Sequence, residues 1–160
     1  MPSLDCPFCQ KLASLSEMSA DDIVWQFPYS IALLGTWQLF HGYCILVSRR
    51  HATELSQLSD EERQGYLAEM CLLARAIEDC FQPHKLNYEL LGNQVAHLHW
   101  HLFPRYQGDP QLLRPVWFAL DQAETNESDR RGLQNGPLTR RETAALLRQK
   151  LSRPDTPVRH

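Results

Sequence analysis

Five short stretches of the chain are dense in apolar and β-branched residues, and one long stretch carries apolar residues at helical spacing. Asp22 to Gln26 and Ser30 to Leu34 read as two strands joined by the tight connection Phe27-Pro28-Tyr29. Tyr43 to Ser48 is an apolar run with the composition of a buried strand, preceded by Gly42, which permits a tight turn or a close approach to backbone. Ser59 and Glu62 form a capping box that opens a helix running to about Phe81. In it Leu67, Met70, Cys71, Ala74 and Ile77 recur at helical spacing, and Pro83 stops it. Asn87 to Leu91 and Gln94 to Pro104 read as strands around a Gly92-Asn93 turn. In the second, Leu98, Trp100 and Leu102 alternate with His97, His99 and His101, so three imidazoles share one face and three apolar side chains the other.

The pattern loosens after Pro110. Pro115-Val116-Trp117-Phe118 is an apolar patch expected to pack on the body or on a second subunit. Asp121 to Pro137 is polar and expected to be a loop, Thr139 and Glu142 cap a helix to about Leu151, and Arg153 to His160 is expected to fray. The fold class is therefore α+β: an antiparallel sheet of about five strands, one long helix and a C-terminal helix.

The chain has 160 residues, enough for one domain with a real core, and its 43% hydrophobic and 22% charged residues are ordinary for a globular protein. A net charge of −3 without a basic surplus argues against a duplex nucleic acid partner. No apolar run approaches the length of a membrane span, and Met1 to Gln10 lacks the apolar core of a secretory signal, so a cytoplasmic location is expected. Cys44, Cys71 and Cys80 fall in apolar patterns and are expected to be small buried residues. His41 and His84 are expected on the surface.

A row of imidazoles suits metal binding or phosphate chemistry. Cys6 and Cys9, in Cys-x-x-Cys spacing, can grip one zinc ion, and His51 and His97 are candidates to complete four ligands. A metal site is thus the rival to phosphate chemistry for part of the row.

His97 to Phe103 resembles the signature of the histidine triad (HIT) superfamily of nucleotide hydrolases and transferases, matching at all seven positions. The likeness extends through Gly42 to Val47 with Arg50-His51, the long helix, the triad strand ending Pro104-Arg105, and Cys6-Pro7-Phe8-Cys9. Three positions depart from it. Tyr43 stands where the family usually has a histidine after the glycine, Gly35 where an Asp or Asn binds ribose hydroxyls, and Asn93 where a Gln precedes the triad.

The resemblance implies a HIT domain over residues 1–110, with 111–160 an extension whose helix packs on it. It implies His99 as nucleophile on an α-phosphorus, forming a nucleotidyl-histidine that water cleaves, and His101 stabilising charge and helping protonate the leaving group. Asn93, Gly42 and His97 are the candidate substrate-binding positions. It implies structural zinc on Cys6, Cys9, His51 and His97, no organic cofactor, a small nucleotide as ligand, and a homodimer. The substrates implied are dinucleoside polyphosphates or nucleoside phosphoramidates. The alternative is a zinc-stabilised nucleotide-binding module with little or no turnover.

Overall fold

The computed structural model describes residues 5–109 and 111–153. Strands β1 (Ile23–Gln26), β2 (Ser30–Leu34), β3 (Cys44–Ser48), β4 (Lys85–Glu89) and β5 (His99–Arg105) form one sheet in the order β1-β2-β3-β5-β4. Every neighbouring pair is antiparallel. The helices are α1 (Pro7–Ala13), α2 (Asp60–Phe81), α3 (Trp117–Glu124), α4 (Glu127–Gln134) and α5 (Arg140–Leu151). This is the α+β architecture the hydrophobic pattern predicts.

Register decides which side chains share a face. Val47 lies opposite His99, and Ile45 opposite His101, which also faces Glu89 across β4. Ala32, Leu34, Cys44, Leu46 and Leu102 occupy the other face and meet Leu73, Ala74 and Ile77 of α2 and Leu147 of α5. The capping boxes at Ser59 and Thr139 form as expected, and α2 ends at Gln82, whose left-handed φ of 47° turns the chain just before Pro83.

The histidine face is covered in two pieces. Ile31, Leu33 and Val47 pack with Phe8 and Leu12 of α1. Phe40, Tyr43 and Phe103 pack with Val116, Ala119, Leu120 and Ala123 around α3 and with Leu133 of α4. The middle of the face, between α1 and α3, is left for the site.

Several expectations are corrected. Asp121 to Pro137 is not a loop: it holds the end of α3 and all of α4. Val116, Ala119, Leu120 and Ala123 recur at helical spacing and bury against Phe103, while Asn126 caps α4 by accepting the Ser128 N–H at 2.9 Å. The histidine strand begins at His99, not Gln94: β3 ends at Ser48, whose N–H donates to Leu98 O at 3.0 Å, and no β3 residue lies beyond it to pair with the residues before Leu98. Leu98 instead donates its N–H to Ala52 O at 2.7 Å. β4 starts at Lys85, two residues before the expected Asn87, and ends at Glu89. Cys71 is exposed and Cys80 half-buried; only Cys44 of those three is fully buried. His41 is buried against Phe81 rather than on a surface loop. The expected frayed end lies, beyond Arg153, outside the described residues. Among the described residues no helix is long and apolar enough to cross a membrane.

Candidate active site and metal cluster

β5 points His99 and His101 into a cavity of about 500 Å³. Phe8 of α1 walls one side, Trp117, Leu120 and Asp121 of α3 the other, and the turn through Gly92, Asn93 and Gln94 closes the rim. The His99 Nδ1–H donates to the carbonyl oxygen of His97 at 2.6 Å. That bond fixes the tautomer and leaves the Nε2 lone pair available. Burial holds His99 below the ordinary histidine range, so the ring is neutral at neutral pH.

His101 sits in an aromatic box. The rings of Tyr43 and Phe103 lie nearly parallel to it, and Trp117 meets it edge-on with centroids 5.2 Å apart. Burial, with a smaller contribution from His99, pushes His101 down to about 4. Its Nδ1 lies 2.7 Å from the Tyr43 hydroxyl. A neutral ring offers a hydrogen bond rather than the proton expected of an acid. The Trp117 Nε1–H donates to Glu89, whose carboxyl burial pushes above the usual range.

His97 is brought elsewhere. It is fully buried, its Nε2 lies 2.8 Å from Ser48 O, and its Nδ1 faces Cys6 Sγ at 3.4 Å and Cys9 Sγ at 3.7 Å. His51 Nδ1 is 3.4 Å from Cys9 Sγ and 3.3 Å from His97 Nδ1. All four ligand atoms of Cys6, Cys9, His51 and His97 lie within 4.8 Å of one another. A tetrahedral zinc ion with ordinary bond lengths separates two nitrogens by about 3.3 Å and a nitrogen from a sulfur by about 3.6 Å. The donor set therefore fits zinc in chemistry and spacing. The Nε2–H donation to Ser48 O leaves His97 Nδ1 as the lone-pair donor such a site requires.

Of the other candidates, Asn93 reaches the cavity rim and Gly42 does not. Gly42 has φ 87°, and a Cβ there would lie 2.4 Å from the Phe81 ring, so its place is set by close packing on the end of α2. Arg105 is buried and bound to Asp109 at 3.1 Å, with further donations to Asn87 and to Arg114 O. Arg49 and Arg50 are exposed and lie away from the cavity. Sequence reasoning missed Phe8, Trp117 and Glu89. The aromatic between Cys6 and Cys9 was a usable signal for the first, and the apolar patch before α3 for the second.

An antiparallel sheet presenting paired imidazoles to a cleft, beside a Cys/His cluster, defines a histidine-triad type of protein. Sequence comparison agrees: a family model described as HIT domain matches residues 17–108. The chain is 30% identical over 111 residues to Protein hit of Bacillus subtilis, covering 66% of this chain and 74% of that protein. It is 25% identical over 120 residues to an AP-4-A phosphorylase of Mycobacterium tuberculosis, covering 70% of this chain and 62% of that one. Among solved structures, a histidine triad protein of Bradyrhizobium japonicum superimposes with TM-score 0.62 at 25% identity, over 87% of this chain and 95% of that chain. A Zn-bound histidine triad family protein of Mycobacterium smegmatis gives 0.64 at 20% identity, over 93% and 94%. The chain belongs to the HIT family.

Proposed function

We propose that this protein is a nucleotide hydrolase or nucleotidyl transferase that cleaves a phosphoanhydride or phosphoramidate at the α-phosphorus. The observation that carries the reading is His99: its Nδ1–H is tied to backbone, and the ring lines a cavity beside a second neutral imidazole. His99 Nε2 attacks phosphorus, and the bond to the leaving group breaks with its electron pair. Pyrophosphate or a second nucleotide departs as an anion; an amine takes a proton from water. Water then attacks the nucleotidyl-histidine and restores the ring. His101 donates a hydrogen bond to a non-bridging oxygen as charge builds there, and Asn93 adds an amide donor at the rim.

Zinc on Cys6, Cys9, His51 and His97 supplies cross-linking, tying α1 to the sheet. The Zn-bound relative and the spacing of the four ligand atoms support this. We take 1–110 as the HIT domain and 111–160 as an extension of the same domain, whose helix α3 walls the cavity. Tyr88 at the free edge strand β4 and Leu72 on α2 are exposed large apolar residues, which supports a homodimer through that helix and edge; light scattering tests it.

Incubation with adenosine phosphoramidate or a dinucleoside polyphosphate should release a mononucleotide, and His99→Ala should abolish release while the fold persists. Equal turnover in both proteins defeats the reading. A second reading, binding without turnover, is favoured by one observation: the described residues lining the cavity include Asp121 and no lysine or arginine. Tight mononucleotide binding by calorimetry with no turnover across a substrate panel would select it.

A further inference from the structure

The two imidazoles on the cavity are held by different kinds of partner. His99 is held by a backbone carbonyl, which only accepts. His101 is held by the Tyr43 hydroxyl, which can donate or accept.

We infer that Tyr43 is a positioning residue that donates its hydroxyl proton to His101 Nδ1 and so fixes His101 as the Nε2–H tautomer, the opposite of His99. One ring then offers a lone pair and its neighbour an N–H to the same phosphoryl group. The chemical use of this pairing rests on the proposed reaction; the tautomer itself does not.

Three observations carry the direction of the bond. The Tyr43 hydroxyl has no other hydrogen-bond partner among the described residues. If it accepted from His101, its own proton would be buried without an acceptor, a costly arrangement. Burial of Tyr43 raises the phenol's pKa, so it keeps its proton, while His101 is neutral and carries a single N–H. A phenol is also a better donor than acceptor, and an unprotonated imidazole nitrogen a better acceptor than a phenol oxygen.

The hydroxyl is held in place because the ring cannot move. Phe103 stacks on one face of Tyr43 with centroids 3.8 Å apart and planes 8° from parallel. On the other side Gly35 leaves the room: a Cβ at that position would lie 2.2 Å from Cδ1 and Cε1 of Tyr43. A tyrosine at 43 and a glycine at 35 are thus one device.

The test uses the purified protein labelled with ¹⁵N-histidine, with the His101 signals assigned by their loss in His101→Gln. At neutral pH the expected spectrum has His101 Nδ1 unprotonated and Nε2 protonated, and Tyr43→Phe moves it towards a mixture. Tyr43→Phe keeps the stacked ring, so kcat on adenosine phosphoramidate should fall about ten- to a hundred-fold with KM within about twofold, the pattern of an interaction made in the transition state. A wild-type spectrum with His101 Nδ1 protonated overturns the inference whatever the activity. So does a Tyr43→Phe protein with unchanged tautomer and kcat, or one in which KM rises while kcat holds. Should the wild-type protein turn over no nucleotide, the proposed reaction falls, and the spectrum alone still decides the role of Tyr43.

Discussion

Replacing His101 with Phe should make the protein more resistant to acid. Burial in the box of Tyr43, Phe103 and Trp117 pushes His101 from 6.5 down to about 4. Between those values the unfolded chain binds a proton that the native state refuses. Stability is therefore full above about pH 6.5, is lost as pH falls, and levels off near pH 4. The gap is worth about 3 kcal/mol at roughly 1.4 kcal/mol per tenfold change in proton affinity. About 2.5 kcal/mol of it falls between about pH 7.5 and about pH 4.5. Phenylalanine fits the same aromatic stack. Losing the partner of the Tyr43 hydroxyl costs about 1–3 kcal/mol, but equally at every pH, so it cancels from the slope. The assay is urea unfolding at both pH values. Wild type should lose about 2.5 kcal/mol more than His101→Phe on acidification. His41, His97 and His99 are also held low by burial and steepen both curves alike. Equal acid losses in the two proteins would refute the assignment of a buried neutral ring at 101.

Gly35→Ala drives a methyl into the Tyr43 ring at 2.2 Å and should cost about 1–3 kcal/mol by urea unfolding; an unchanged midpoint would contradict the close approach. Arg105→Met strands Asp109, whose side chain is 5% exposed, and should cost about 3–5 kcal/mol at neutral pH. Urea unfolding at neutral pH checks this, and an unchanged midpoint would contradict the buried pair. Cys9→Ser should cut bound zinc by elemental analysis from about one per chain to well under half. A chelator should lower the melting temperature of the wild type and leave the variant's nearly unmoved; equal zinc in both proteins would refute the four-ligand cluster.

Sequence reasoning saw the features that repeat and missed those that depend on tertiary contact. Strand β2 and helices α2 and α5 carry strong local signals, a clean apolar run or a capping box, and their bounds agree closely with the structure. The phase of the histidine strand was equally legible, because alternation is a local property: Leu98 and Leu102 are core and His99 and His101 line the cavity. Helix α1 was not read. It has seven residues, and nothing in its sequence outweighs the cost of nucleation until Phe8 and Leu12 meet the sheet. Helices α3 and α4 were hidden because α3 buries mostly alanines and α4 only Leu133. The split of the histidine row was read from the resemblance, and the distances around His97 give it a physical basis. The place of Tyr43 could be noticed as a departure, but its bond to His101 joins residues 58 apart and has no local trace.

The cavity has one wall from the beginning of the chain and one from beyond the triad. Phe8 and Trp117 are 109 positions apart by number, and the histidines between them gain an enclosure only when both have docked. A nascent polypeptide emerging as far as Tyr106 can complete its sheet and align its imidazoles, yet it still lacks the α3 side of the cleft. The α3 side of the cleft is therefore laid down only after the sheet that carries its histidines.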